Sequence, residues 1–125
     1  MKKISKQQVL LLHLQLIAQS GGSSGLGDEG LLEAALEAPF QEFAGISNYS
    51  CIEEKAARLG YGIIQNHPFI DGNKRIGAHV MMVLLYINGI QLMYRQEKLI
   101  EIILAVAAGN AGYTALLQWV KQHEQ

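Results

Sequence analysis

Apolar residues recur every three to four positions from Val9 through Leu12, Leu16 and Ile17, and the pattern stops before Gly21-Gly22. That is the period of an amphipathic helix, predicted over about residues 5 to 19. Ser5 and Gln8 form a capping box at its start, with Ile4 and Val9 spaced for a hydrophobic staple. His13 and Gln15 are read as its polar side. Asp28 caps a short second helix carrying Leu31, Leu32, Ala35 and Leu36, which Pro39 ends. Residues 40 to 49 have no period. Ser50 and Glu53 form another capping box, for a helix carrying Ala56, Leu59, Ile63 and Ile64. Pro68 disfavours helical geometry at His67, so this helix is predicted to finish at about Asn66 and deliver His67 into a turn. From Asn73 to Asn88 the chain is apolar on nearly every side after its first turn, as in a helix surrounded by others, and Asn88-Gly89 stops it. Two more helices are predicted near 95 to 108 and 114 to 122. No segment alternates convincingly as a strand, so the prediction is an all-α bundle with a small hairpin or flap near residues 21 to 30 or 40 to 47.

At 125 residues the chain suits one domain, residues 1–125, with a single core and no need of a metal or disulfide for stability. The one cysteine, Cys51, cannot form an internal bridge, which fits a reducing, cytoplasmic setting. Lys2 and Lys3 before the apolar Val9 to Leu12 imitate the start of a signal peptide, but His13 and Gln15 interrupt the stretch, and nothing reaches the length of a membrane span. The sequon Asn48-Tyr49-Ser50 therefore reads as accidental. Net charge is −1. No excess of cations exists to grip a polyanion, so autonomous DNA binding is not expected, and any phosphate chemistry must gather its few cations in one place.

That place is His67-Pro68-Phe69-Ile70-Asp71-Gly72-Asn73-Lys74-Arg75. A base, a carboxylate, a glycine and two cations fall within nine residues, at the start of a helix. Unpaired N–H groups and the partial positive charge of a helix start bind phosphate. Gly72 lets the backbone approach an anion, Asn73 can cap the helix or donate from its amide, and Lys74 and Arg75 add formal charge. Those two cations stand where the helix dipole disfavours them, so an anion is expected to compensate them. A carboxylate beside phosphates, here Asp71, implies Mg²⁺ as the bridge. An imidazole such as that of His67 can take a proton from an attacking hydroxyl, so phosphoryl or nucleotidyl transfer follows as the reaction class. Phe69 is expected to anchor the turn in the core. His13, His79 and His123 lack ligand spacing and read as surface or core-edge residues, although His79, one turn beyond Arg75, is placed to face the site.

This segment resembles the Fic/Doc signature, His-x-Phe-x-Asp/Glu-Gly-Asn-Gly/Lys-Arg. Gly21 to Leu36 and Asn66 to Gly89 extend the resemblance, to the Doc (death on curing) branch, over most of the chain. The resemblance implies a helical Fic core and transfer of part of a nucleotide, with ATP as substrate and Mg²⁺ as cofactor, to a protein hydroxyl. It implies that His67 deprotonates the target, that Asp71 holds Mg²⁺ or orients the reactants, and that Gly72, Asn73, Lys74 and Arg75 hold the phosphates. The region Gly21 to Gly27 corresponds to the flap that positions the target. Nucleotidyl transferases of the family carry glycine where this chain has Lys74 and a second arginine where it has Ala78. In the Doc branch these departures accompany transfer of the terminal phosphoryl group to a threonine of elongation factor Tu. Phosphorylation is therefore favoured over AMP transfer. An internal inhibitory helix would need Ser or Thr four residues before Glu29-Gly30, where Gly25 stands, so inhibition is expected from a separate Phd-like antitoxin whose tail folds against the chain.

A non-catalytic module that binds an antitoxin and helps it repress is the rival reading, opposed by the presence of His67, Asp71 and Asn73. A His-Asp metal hydrolase lacks the ligands it would need. Gly25-Leu26-Gly27-Asp28-Glu29-Gly30 imitates a dinucleotide fingerprint but follows a helix rather than a strand, and Asp28 stands where a Walker loop needs lysine.

Overall fold

A computed structural model describes all 125 residues. Six helices, α1 (Lys6–Ser20), α2 (Glu29–Glu37), α3 (Ile52–Asn66), α4 (Asn73–Ile87), α5 (Gln96–Ala107) and α6 (Tyr113–Gln122), follow one another in chain order. A 3-10 turn, Ala38–Phe40, extends α2 around Pro39. The expected hairpin is at the later of its two candidate positions: β1 (Glu42–Phe43) pairs antiparallel with β2 (Ile46–Ser47) across Ala44-Gly45, both of which have positive φ, as a two-residue hairpin turn requires. Phe43 and Ile46 are exposed at its tip.

The capping signals act largely as read. Ser5 accepts the Gln8 N–H at 3.2 Å and the Gln8 side chain accepts the Ser5 N–H at 2.8 Å. Asp28 accepts the Leu31 N–H at 3.1 Å. At α3 the box is displaced by one residue. Cys51, not Ser50, is the cap, and Glu54, not Glu53, is its partner, accepting from the Cys51 N–H at 3.3 Å and the Ser50 hydroxyl at 2.9 Å. A single carboxylate one position further along satisfies both donors, and a helix starting one residue earlier would forgo this.

α3 and α4 form the most extensive helix pairing and run through the core, with Leu59, Ile63, Ile64, Ile76, Val80 and Leu84 at most 2% exposed. They cross at glycines. A Cβ on Gly77 would lie 2.8 Å from Ile64 Cγ1 and 3.2 Å from the Gly60 carbonyl oxygen. α2 and α6 pack on α3, α5 bridges α3, α4 and α6, and α1 lies along α4. α4 is less enclosed than its composition predicts, because His79 and Tyr86 reach solvent. The stripe that α1 buries also differs from the expected one: Val9, His13 and Ile17, spaced four apart, face inward, while Leu11 and Leu14 are exposed. His13 is thus at the centre of the buried face and not on the polar side.

Candidate active site

The turn between α3 and α4 is shaped by its own sequence. His67 ends α3 in the left-handed region (φ 49°, ψ 54°), an uncommon state for a non-glycine residue, and its side chain is left exposed. Phe69 enters the core, as expected. Asn73 then closes the turn: its side-chain oxygen accepts the Phe69 N–H and its amide nitrogen donates to the Phe69 carbonyl, both at 2.9 Å. Asn73 is buried and both ends of its amide are spent. The expected helix cap is instead Gly72, in the left-handed region (φ 77°), which has no side chain to offer. The first-turn N–H groups of α4 are therefore uncapped by any side chain and open to an anion.

The glycine-rich segment before α2 forms no hairpin of its own. It pairs with the turn: Leu26 bridges Phe69 antiparallel, the Gly27 and Asp28 N–H groups donate to the Pro68 carbonyl at 2.8 and 2.9 Å, and the Ile70 N–H donates to Gly25 at 3.1 Å. Two side chains fasten its other end. Asp71 accepts from the Ser23 N–H at 3.1 Å and from the Gly72 N–H at 2.8 Å, while Arg75 donates to the Gly21 carbonyl at 3.1 Å and to the Ser20 hydroxyl. Gly22 is wedged between them. It has φ +115°, and a Cβ there would lie 2.6 Å from the Asp71 carboxylate. The flap expected from residues 21 to 27 is therefore a strap tied to the candidate site by backbone pairing at one end and by the Asp71 and Arg75 side chains at the other.

These contacts lower the Asp71 pKa, chiefly through the Ser23 N–H, then the Gly72 N–H, with smaller help from the charges of Arg75 and His13. The folded value lies below the unfolded one, so the carboxylate's hold on the strap is complete above an ordinary aspartate value of 3.8 and is lost as pH falls through the lowered value. The Ser23 amide resonance is expected to titrate with a midpoint below 3.8; a midpoint above it would mean that the carboxylate is not bonded to the strap.

His67, Ile70, Asp71, Gly72, Asn73, Lys74 and Arg75 line one cavity of about 290 Å³. The two ends of the turn thus open on the same space. Neither Lys74 nor Arg75 makes a direct ion pair with a carboxylate, although Asp71 lies close enough to feel the charge of Arg75. Lys74 and Arg75 also border a second, mostly apolar groove of about 500 Å³, lined by Leu16, Met82, Ile100, Ile103 and Leu104 among others. His79 lies in that groove and not in the smaller cavity, contrary to expectation. No three His, Cys, Asp or Glu side chains cluster as a metal site. A lone Asp71 still suits Mg²⁺, which is commonly held by one or two carboxylates together with substrate phosphates.

Sequence reasoning missed three contributors. Ser20, the last residue of α1, and Ser23, in the strap, carry no local signal. His13 bonds through Nε2 to the Asp71 carbonyl at 2.8 Å and stacks on Phe69, with ring centroids 3.9 Å apart. Its spacing of four from both Val9 and Ile17 was the available signal. No helix is long and apolar enough to cross a membrane.

A model of the Fic/DOC family matches residues 3–85. The chain is 34% identical over 110 residues to "Toxin Doc" of Mycolicibacterium smegmatis, covering 78% of this chain and 85% of that protein. It is 24% identical over 122 residues to "Protein kinase doc" of Escherichia phage P1, covering 98% and 95% of the two. With its signature turn folded around a single cavity and these matches spanning most of its length, the chain belongs to the Fic/DOC family.

Proposed function

We propose that this protein is a Doc-type toxin that transfers the terminal phosphoryl group of ATP to a serine or threonine hydroxyl of another protein. The observation that carries the reading is the shared cavity: the exposed imidazole of His67 and the uncapped, doubly cationic start of α4 open onto one space. An imidazole nitrogen of His67 accepts the target's hydroxyl proton as its oxygen bonds to the γ-phosphorus, and the bond to the bridging oxygen breaks to release ADP. Lys74, Arg75 and the uncapped N–H groups of α4 that follow Gly72 receive the phosphates, the Gly72 N–H itself being bonded to the Asp71 carboxylate. Asn73 serves them indirectly, since its amide is committed to holding the turn around Phe69. Mg²⁺, when bound, neutralises phosphate charge, and Asp71 is the residue that would hold it. Lys74 and Ala78, in place of the glycine and second arginine of the nucleotidyl transferases, favour phosphoryl over AMP transfer, and a relative is named a protein kinase. The expected target, by likeness to the Doc branch, is a threonine of elongation factor Tu.

The apolar groove between α1, α4 and α5 supports an antitoxin partner. Ile100 and Leu104 are 49% and 50% exposed there, and Lys74 borders the same surface. Such a surface suits an amphipathic helix with acidic residues, as the tail of a Phd-like antitoxin would supply. The test is induction of the chain alone, followed by growth measurement and intact-mass analysis of the lysate. Growth arrest with a gain of about 80 Da on one protein is expected. A gain of about 329 Da would replace the kinase by AMP transfer, and neither gain, with normal growth, would leave a non-catalytic partner-binding module.

A further inference from the structure

Of the groups that surround the cavity without touching it, His13 is the one whose placement has chemical consequences. It is 1% exposed and reaches from the middle of α1 into the turn between α3 and α4. Its ring lies nearly parallel to Phe69, at 14°, and its Nε2 is 2.8 Å from the Asp71 carbonyl oxygen. A carbonyl oxygen only accepts, so Nε2 must carry the hydrogen. In a planar trans peptide the C=O and the following N–H point in opposite directions. Tying the Asp71 carbonyl inward to His13 therefore turns the Gly72 N–H the other way, toward the Asp71 carboxylate, which it meets at 2.8 Å beside the cavity that both residues line. Without that tie only the bond to the Asp71 carboxylate holds the Asp71–Gly72 peptide, and the glycine at φ +77° that follows permits it to flip. A flip would present a carbonyl oxygen, with its partial negative charge, to the arriving phosphate.

We propose that His13 is a positioning residue for the phosphate cradle, holding the Asp71–Gly72 peptide so that its carbonyl oxygen stays turned away from the anion. This inference rests on the reading of the cavity as a phosphate site, though not on which group is transferred. A purely structural histidine would stabilise the fold and leave ligand affinity alone, so the readout is affinity in folded variants. His13→Phe keeps a ring to stack on Phe69 and removes the donor; His13→Gln restores a donor of similar reach. Dissociation constants for Mg²⁺–ATP and for inorganic triphosphate are measured by calorimetry, with melting curves recorded beside them. His13→Phe is expected to weaken both ligands about tenfold or more and His13→Gln to remain within about threefold of the original chain, the size of a lost hydrogen bond to a charged ligand. Equal affinities in all three proteins, or a glutamine variant as weak as the phenylalanine one, overturn the proposal. Should His13→Phe not fold, nitrogen NMR of the unaltered protein decides: Nε2 must be protonated and its signal must shift when triphosphate is added, and an unprotonated or unresponsive Nε2 overturns it. Transfer activity is scored separately with His67→Ala. A chain that binds triphosphate with the stated split but modifies nothing would sink the kinase reading and leave the role of His13 standing.

Discussion

Replacing His67 by asparagine or alanine lowers protein modification by about a hundredfold or more, the usual contribution of a positioned general base. The expectation is sharp because His67 has no other work. Its side chain is exposed and makes no hydrogen bond within the chain, so an exposed substitution there is expected to change stability by no more than about 0.5 kcal/mol. Asparagine is the better replacement, since it tolerates the left-handed backbone that His67 adopts and isolates loss of the imidazole from any change in the turn. Binding of ATP, which the proposed function assigns to the other end of the turn, should be unaffected. The check is a time course of target modification beside a melting curve and a nucleotide titration. Modification by His67→Asn at the original rate would remove the base and leave the turn as a binding device. Simultaneous loss of nucleotide binding would instead place the imidazole among the phosphate contacts.

Local rules were legible in the sequence and non-local ones were not. The Ser5–Gln8 box, the Asp28 cap, the end of α3 before Pro68 and the stop at Asn88 each depend on residues within four positions of one another, and all are present in the fold. The displaced cap at Cys51 is an error of one residue between two acidic candidates, Glu53 and Glu54, that sequence could not rank. The site divides in the same way. His67, Asp71, Gly72, Lys74 and Arg75 lie within nine residues and read as one motif. Asn73 reads from sequence as a helix cap or an amide donor to phosphate, because helix starts attract asparagine, whereas the Phe69 N–H and carbonyl engage both ends of its amide. His13 lies 58 positions from the carbonyl it bonds, and a single histidine in an apolar helix gives no sign of so remote a partner. The strap was legible as glycine-rich, but its partner was not, since pairing of Leu26 with Phe69 is set by the tertiary fold.

The glycines inside α3 and α4 belong to this non-local class and support the largest expected effect on stability. A helical glycine in isolation costs about 1 kcal/mol relative to alanine, so propensity alone predicts that Gly77→Ala stabilises the protein by that amount. Contact geometry predicts the opposite sign. The new Cβ would meet Ile64 Cγ1 at 2.8 Å, inside any distance such carbons adopt, with the Gly60 carbonyl, a backbone atom unable to rotate away, at 3.2 Å. Ile64 is fully buried and has little room to move. The helices must separate, and this overpacking is expected to outweigh the propensity gain, leaving Gly77→Ala destabilised by about 1 kcal/mol and Gly77→Val by about 3 kcal/mol. For a domain of this size the valine variant should melt roughly 10 °C lower. Because α3 ends at His67 and α4 begins at the proposed phosphate cradle, separating them also moves the two ends of the turn apart, so transfer should fall more steeply than stability in the alanine variant. Chemical denaturation of both variants checks the sign, and a stabilised Gly77→Ala would mean that the crossing is looser than its geometry implies.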